Sequence, residues 1–290
     1  MNGILLIDKP SGWTSNDVVQ KLRGVLHERR IGHAGTLDPM ATGLLTVFVG
    51  RATRAVEFAE GDEKTYIAGL RLGITTDTQD VTGTVLRTNP VPELTSDALD
   101  QTLQSFRGII RQTPPMYSAI RVNGQRLYAL ARQGKTVERV PREVQIHELR
   151  ILEGDDSDWT LLVRCSKGTY IRTLCHDIGE LLGCGACMSS LRRTASGAFL
   201  ISDAVTLEKA VQLASDGKTG QILIPTDRLF SRYQDLTVDE FREKKLRNGS
   251  SVPCAEENGV FRVYSEKGEF LALGKCTEGE LRSIKSFFEV

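Results

Sequence analysis

Gly32-His33-Ala34-Gly35-Thr36-Leu37-Asp38-Pro39-Met40-Ala41-Thr42-Gly43-Leu44-Leu45 is the stretch on which the reading of this 290-residue chain turns. It sets one carboxylate, Asp38, between a glycine-rich turn and a proline, with an apolar run after it. Gly32 and Gly35 open backbone angles closed to other residues, while Pro39 fixes its own φ and pushes Asp38 towards an extended conformation. A loop of this kind holds an acid group still at the end of a strand. His33 lies five residues upstream and, from residue chemistry alone, suggests a general acid or base. The blander alternative is an Asp-Pro turn in which Asp38 caps local backbone.

Working outward, residues 3–7 read as a short buried strand and 9–12 as a turn. Thr14 or Ser15 can cap a helix whose apolar positions Val18, Val19, Leu22, Val25 and Leu26 recur at helical spacing. Strands are expected at 44–49 and 66–72, and a helix near 54. The acidic, threonine-rich 75–80 reads as loop, and 96–106 as a helix. Residues 118–141 are polar, basic and poorly periodic, the pattern of an insertion that projects or moves. A hairpin is expected over 144–165, then a helix through Leu174, Ile178 and Leu181. Residues 235–290 combine a helical piece at 238–246 with short strands at 260–264, 269–273 and 287–290. That pattern suggests a small β-rich terminal domain.

The length suits about two domains of ~150 residues. Composition, 40% hydrophobic and 26% charged, is that of a globular chain. No apolar run approaches the ~18 residues of a membrane span, and no basic region precedes an apolar one at the N-terminus, so the expected location is the cytoplasm. Six scattered cysteines argue against a disulfide framework. Cys184-Gly-Ala-Cys187 is a single C-x-x-C without a second ligand pair, which argues for plain thiols over metal or redox use. The 37 basic and 37 acidic residues cancel, but unevenly. Residues 9–54 carry seven basic against three acidic side chains, and 119–150 carry the same excess. Basic segments in a neutral chain fit a localised nucleic-acid footprint as well as they fit solvated faces.

There is no phosphate-binding G-x-x-x-x-G-K-[ST], no strand-anchored G-x-G-x-x-G, no H-E-x-x-H and no G-x-S-x-G. What remains is the Asp38 loop, aromatics beside charges at Lys64-Thr65-Tyr66, Tyr117, Tyr128 and Thr169-Tyr170, and Arg172. In this setting the 32–45 run resembles the catalytic motif of the TruB family of bacterial tRNA pseudouridine synthases. Further stretches match in order: G-I-L-L-I-D-K-P-S-G-W-T-S from Gly3, K-T-Y from Lys64, the basic stretch from Gln112 to Gly134, K-G-T-Y-I-R-T-L from Lys167, and L-R-R-T from Leu191. The resemblance covers residues 1–230, and less specifically a PUA-like RNA-binding domain at 235–290.

That resemblance implies an α/β (α+β) pseudouridine synthase fold with a mixed, largely antiparallel central sheet and a cleft across its middle. It implies isomerisation of the uridine at position 55 in the tRNA T-loop, without cofactor or metal. The N1–C1′ bond breaks, the uracil turns, and C5 joins C1′, so no redox partner or group donor is required. Asp38 matches the nucleophile, by covalent attack or through a glycal-like intermediate. Arg172 matches the active-site arginine; an arginine at contact distance lowers a carboxyl pKa by ~1–3 units. Tyr66 matches the tyrosine that stacks on the flipped base, Tyr170 and Leu191 match pocket residues, and Lys9-Pro10 a structural motif near the site. His33 matches a residue that fills the displaced nucleotide's place, which the resemblance favours over proton transfer. Residues 118–141 match the insertion that grips the T-loop, with Arg121, Arg126, Arg132 and Arg139 meeting phosphates. The expected partner is tRNA, with no membrane or protein partner and a monomeric state. A carboxylate-based glycoside hydrolase would ordinarily need two carboxylates, and a plain RNA-binding module would not need Asp38 beside Arg172.

Overall fold

The computed structural model describes residues 1–61, 63–118, 120–122 and 124–288. It opens with the buried strand β1 (Gly3–Lys9) and the helix α1 (Ser15–Leu26). Thr14 and Asp17 start α1 with a reciprocal capping box, in which each side chain accepts the other's N–H. The 32–45 stretch is not wholly loop. Its first residues form β2 (Ile31–Ala34), which pairs antiparallel with β3 (Thr42–Val49), so Asp38 sits at the tip of a long hairpin.

A 3-10 turn and α2 (Val56–Glu60) lead into β4 (Lys64–Leu72). The expected loop at 75–80 instead begins with β5 (Ile74–Thr76), paired to β6 (Val85–Thr88). Periodicity missed this hairpin because Thr75 and Thr76 are buried polar residues and all of β6 is exposed. Then come α3 (Ser96–Gln104) and β7 (Gly108–Gln112). The basic insertion holds the two-residue strands β8 (Arg121–Val122) and β9 (Gln125–Arg126) and the short α4 (Leu127–Ala131), anchored by buried Leu127 and Leu130.

The expected hairpin is present as β10 (Arg142–Asp155) and β11 (Asp158–Cys165), followed by α5 (Ile171–Leu181). After it run β12 (Ala186–Ser196), β13 (Phe199–Leu200), β14 (Val205–Thr206) and α6 (Leu207–Ser215).

Among the described residues ten strands form one mixed sheet in the order β14-β1-β3-β12-β4-β11-β10-β7, with β2 on β3 and β13 on β12. Its ladders are antiparallel except for β1–β14 and β3–β12. The β3–β12 ladder lies at the centre and is only two pairs long, Thr42 with Arg192 and Gly43 with Arg193. Helices α1 and α6 cover the β1–β3 half, burying Val18, Leu22 and Leu207 against Leu5, Ile7 and Leu45. Helices α3 and α5 cover the other half, burying Leu99, Leu103, Leu174 and Ile178 against Leu70, Leu161 and Met188.

The C-terminal segment builds a separate five-stranded sheet from β15 (Gln234–Val238), β16 (Val252–Pro253), β17 (Gly259–Ser265), β18 (Phe270–Thr277) and β19 (Glu280–Ser286), with α7 (Glu240–Arg247) after its first strand. The strand expected at 287–290 is not found at Phe287 and Phe288, and its last two residues lie outside the described residues. The final strand is β19, just before it. This sheet has its own core around Val238, Leu246, Val263 and Leu271. It docks on the body through Phe58, Phe230, Phe270 and Phe287, and through Tyr264, whose hydroxyl donates to Asp227 at 2.6 Å. Among the described residues no helix is long and apolar enough to cross a membrane.

Candidate active site

Asp38 is held by backbone contacts from three directions. The Ser15 hydroxyl accepts the Leu37 N–H at 2.9 Å and donates to the Leu37 carbonyl at 3.2 Å. The Gly12 N–H donates to the Pro39 carbonyl at 2.8 Å. The Lys9 ammonium, fully buried, donates to the carbonyls of Trp13, Pro10 and Pro39 at 2.6, 2.9 and 3.3 Å. Three acceptors match the three N–H bonds of an ammonium. Burial pulls Lys9 down to about 8, which leaves it a cation at neutral pH.

Arg172, in the first turn of α5, meets the carboxylate with a fork: Nε lies 2.9 Å from Oδ2 and Nη2 donates to Oδ1 at 3.2 Å. The guanidinium is itself fixed. Nη1 donates to the Thr78 carbonyl at 3.2 Å, Nη2 to the Tyr117 carbonyl at 2.8 Å, and the Asp80 carboxylate lies 3.9 Å from Nε. The Arg172 side chain is 7% exposed and that of Asp38 34%, so the carboxylate shows a face to solvent while its anchor does not. Burial pushes the Asp38 carboxyl up, Arg172 pulls it back, and Asp80 adds to the rise; the net displacement is upward. The arginine is where the sequence reading expected it, but its lowering effect is outweighed by desolvation.

Tyr66 on β4 is half-buried and packs against the cluster that contains Leu37, Ala41 and Leu191. Leu191 is Ala68's cross-strand partner. Burial raises the Tyr66 hydroxyl pKa, with Arg193 as the first opposing influence. Tyr170 immediately precedes α5, and both ends of the buried Gln112 amide grip its backbone N–H and carbonyl, at 3.0 and 3.2 Å. Its hydroxyl is raised by burial and feels both Arg172 and Asp38. Asp38, Arg172, Tyr66, Tyr170 and Leu191 are therefore brought together. His33 lies on β2, opposite Val47. Burial, with a smaller push from Arg193, lowers its pKa, and no hydrogen bond or ion pair joins it to Asp38.

In the insertion, Arg121, Arg126 and Arg132 are exposed. Arg126 donates to the Tyr128 hydroxyl at 2.9 Å, and the Arg132 guanidinium lies over the same ring at 5.5 Å. Arg139 differs: it is half-buried and donates to the Pro114 carbonyl at 3.1 Å.

Sequence reasoning missed Asp80, Gln112 and Arg193. Asp80 is buried because the Thr78 and Thr82 hydroxyls and the Thr82 N–H donate to one of its oxygens. The T-x-D-x-T spacing was the available signal. The six cysteines are buried free thiols, and the described residues hold no group of three or more His, Cys, Asp or Glu placed to bind a metal ion.

Comparison with known proteins yields two family matches. The TruB family pseudouridylate synthase N-terminal domain matches residues 23–171, and the tRNA pseudouridylate synthase B C-terminal domain matches 172–231. The tRNA pseudouridine synthase B of Clostridium kluyveri is 42% identical over 293 residues, spanning 99% of this chain and 100% of its own. That of Aromatoleum aromaticum is 43% identical over 278 residues, spanning 95% and 89%. Among solved structures, an H/ACA RNP bound to a substrate RNA containing 2'-deoxyuridine superposes with TM-score 0.75 at 25% identity, covering 99% of this chain and 85% of that one. A Cbf5-Nop10-Gar1 complex gives TM-score 0.75 at 26% identity over the same shares.

Proposed function

The chain belongs to the TruB family of pseudouridylate synthases, and from that membership we propose that it acts on the uridine at position 55 in the T-loop of tRNA, with Asp38 as nucleophile. Its reaction is the family's, isomerisation of uridine to pseudouridine in tRNA. The observation that carries the finer reading is the one-third-exposed Asp38 carboxylate, forked by a buried arginine beside Tyr66, Tyr170 and Leu191.

The target uridine leaves the RNA stack, at a cost of a few kcal/mol. Stacking on the Tyr66 ring recovers ~1–3 kcal/mol. Asp38 then acts on the ribose, by attack at C1′ or by drawing the C2′ proton, and the N1–C1′ bond breaks. The uracil turns within the aromatic walls and C5 bonds to C1′ as the Asp38–C1′ ester bond breaks or, on the other route, as the proton returns to C2′. The C5 proton then departs and N1 takes one up. Nothing in this sequence of steps consumes a cofactor, a metal or an energy source. His33, whose pKa burial lowers, suits filling the place of the displaced nucleotide better than carrying a proton. The exposed arginines around Tyr128 hold phosphates of the T-loop, and the terminal β domain extends the RNA contact. The enzyme works in the cytoplasm as a monomer, and sedimentation at more than one chain mass would contradict that state.

T-arm RNA carrying tritium at C5 of uridine 55 tests the proposal. Isomerisation releases tritium and leaves the strand intact. Release of free uracil would identify a hydrolase instead. Tight binding without release would identify a binding module, and release from an RNA labelled only at other uridines would overturn the position.

A further inference from the structure

Arg193 is the bulkiest fully buried side chain among the described residues, and it lies at the two-pair seam where the halves of the sheet meet. On β12 it is the cross-strand partner of Gly43 in β3 and, on its other side, of Tyr66 in β4. Directly opposed residues of neighbouring strands project to the same face, which sets its side chain beside the Tyr66 ring. Its Nε donates to the Leu44 carbonyl at 2.7 Å and its Nη2 to the Gly35 carbonyl at 2.9 Å. Those two carbonyls flank Asp38, three residues before it and six after.

The surroundings are shaped to this side chain. A Cβ on Gly35 would stand 3.1 Å from Nη1, and one on Gly43 would stand 2.3 Å from the Arg193 carbonyl. Among the described residues Arg193 pairs with no carboxylate, so a full charge is buried against neutral acceptors. An apolar side chain of that volume would ordinarily be the more stable choice, and departures of that kind concentrate at functional sites. The charge is felt at the Tyr66 hydroxyl, at His33 and at Lys9.

We propose that Arg193 is a positioning residue of the active site, which fixes the Asp38 loop against the strand carrying Tyr66 and so sets the spacing between nucleophile and aromatic wall. The proposal rests on the roles assigned to Asp38 and Tyr66 above. It differs from a plain packing role in what it predicts: the substrate still binds, but the reacting atoms are misplaced.

Arg193→Lys keeps the buried charge but gathers its donors on one nitrogen in place of the separate Nε and Nη2 that meet Leu44 and Gly35, and Arg193→Met removes both features. Each is assayed beside Asp38→Asn with the tritiated T-arm RNA, together with thermal melting and RNA affinity. We expect Arg193→Lys to fold and to keep KM within about threefold, while kcat falls about 100-fold, the penalty of an ~1 Å misplacement. Combined with Tyr66→Phe, its effect is expected to be smaller than the product of the single losses, because the two side chains act as a unit. Should Arg193→Met fail to fold, Arg193→Lys carries the test. A fall in kcat of less than about tenfold, or a loss confined to KM, would overturn the positioning role. An inactive Asp38→Asn beside a fully active Arg193→Lys would overturn that role alone. An active Asp38→Asn would overturn the reading beneath it.

Discussion

Asp38 is under opposing influences, and their balance has a measurable sign. Burial raises its pKa and Arg172 lowers it, with burial ahead. A nucleophilic carboxylate must be ionised, so kcat/KM falls as the pH drops through a pKa above the ordinary aspartate value of ~3.9. Arg172→Met removes the main lowering influence, which moves that acid limb to higher pH. The variant is therefore expected to lose more activity at pH 6 than at pH 9, read from the pH dependence of kcat/KM. A limb left in place would show that Arg172 does not set the ionisation of Asp38. At this scale the sequence was legible where an ordered motif carried the residue, as for Asp38, Tyr66 and Arg172. It was illegible where a polar side chain is buried by its neighbours. Asp80 reads as part of a polar loop, and only folding shows that Thr78 and Thr82 saturate it beneath Arg172.

Elements with clean periodicity were legible: β1, α1, β3, β4, the β10–β11 hairpin and α5 all follow their apolar pattern. The central strand β12 was not. Register shifts beside Ser190 and Ala195 break its two-residue alternation, and a buried Arg193 occupies a position where an apolar residue would be expected. The neighbouring β3 accommodates β12 through Gly43, whose φ of +100° is open to few other residues. A methyl there would meet the Arg193 carbonyl at 2.3 Å. Gly43→Ala is therefore expected to destabilise the protein by about 3 kcal/mol. In a chain of this size that lowers Tm by roughly 6–12 °C, and a melting curve within a degree of wild type would contradict the tight seam.

The whole molecule is neutral, so its attraction for RNA depends on where the charge lies. Arg121, Arg126 and Arg132 are exposed arginines of the insertion, with Lys135 exposed beside them. Replacing all three by Ala is expected to flatten the slope of log K against log salt for T-arm RNA by about 2–3, near 0.7–0.9 for each phosphate no longer neutralised. The turnover of saturated enzyme should stay close to wild type. An unchanged slope would show that these arginines meet no phosphate. Arg139, turned onto Pro114, should contribute less. The terminal sheet was foreseen as β-rich, but its docking through Phe230, Phe270 and Phe287 was not, because such contacts join residues that no local pattern connects.

The most direct test of the central claim is single-turnover tritium release by Asp38→Asn, with RNA affinity measured on the same preparation. The account predicts a rate at least ~10⁴-fold below wild type, as for other enzymes stripped of a group essential to the chemistry, with RNA affinity changed less than about threefold. Release within about 100-fold of wild type by the folded variant would contradict Asp38 as the nucleophile.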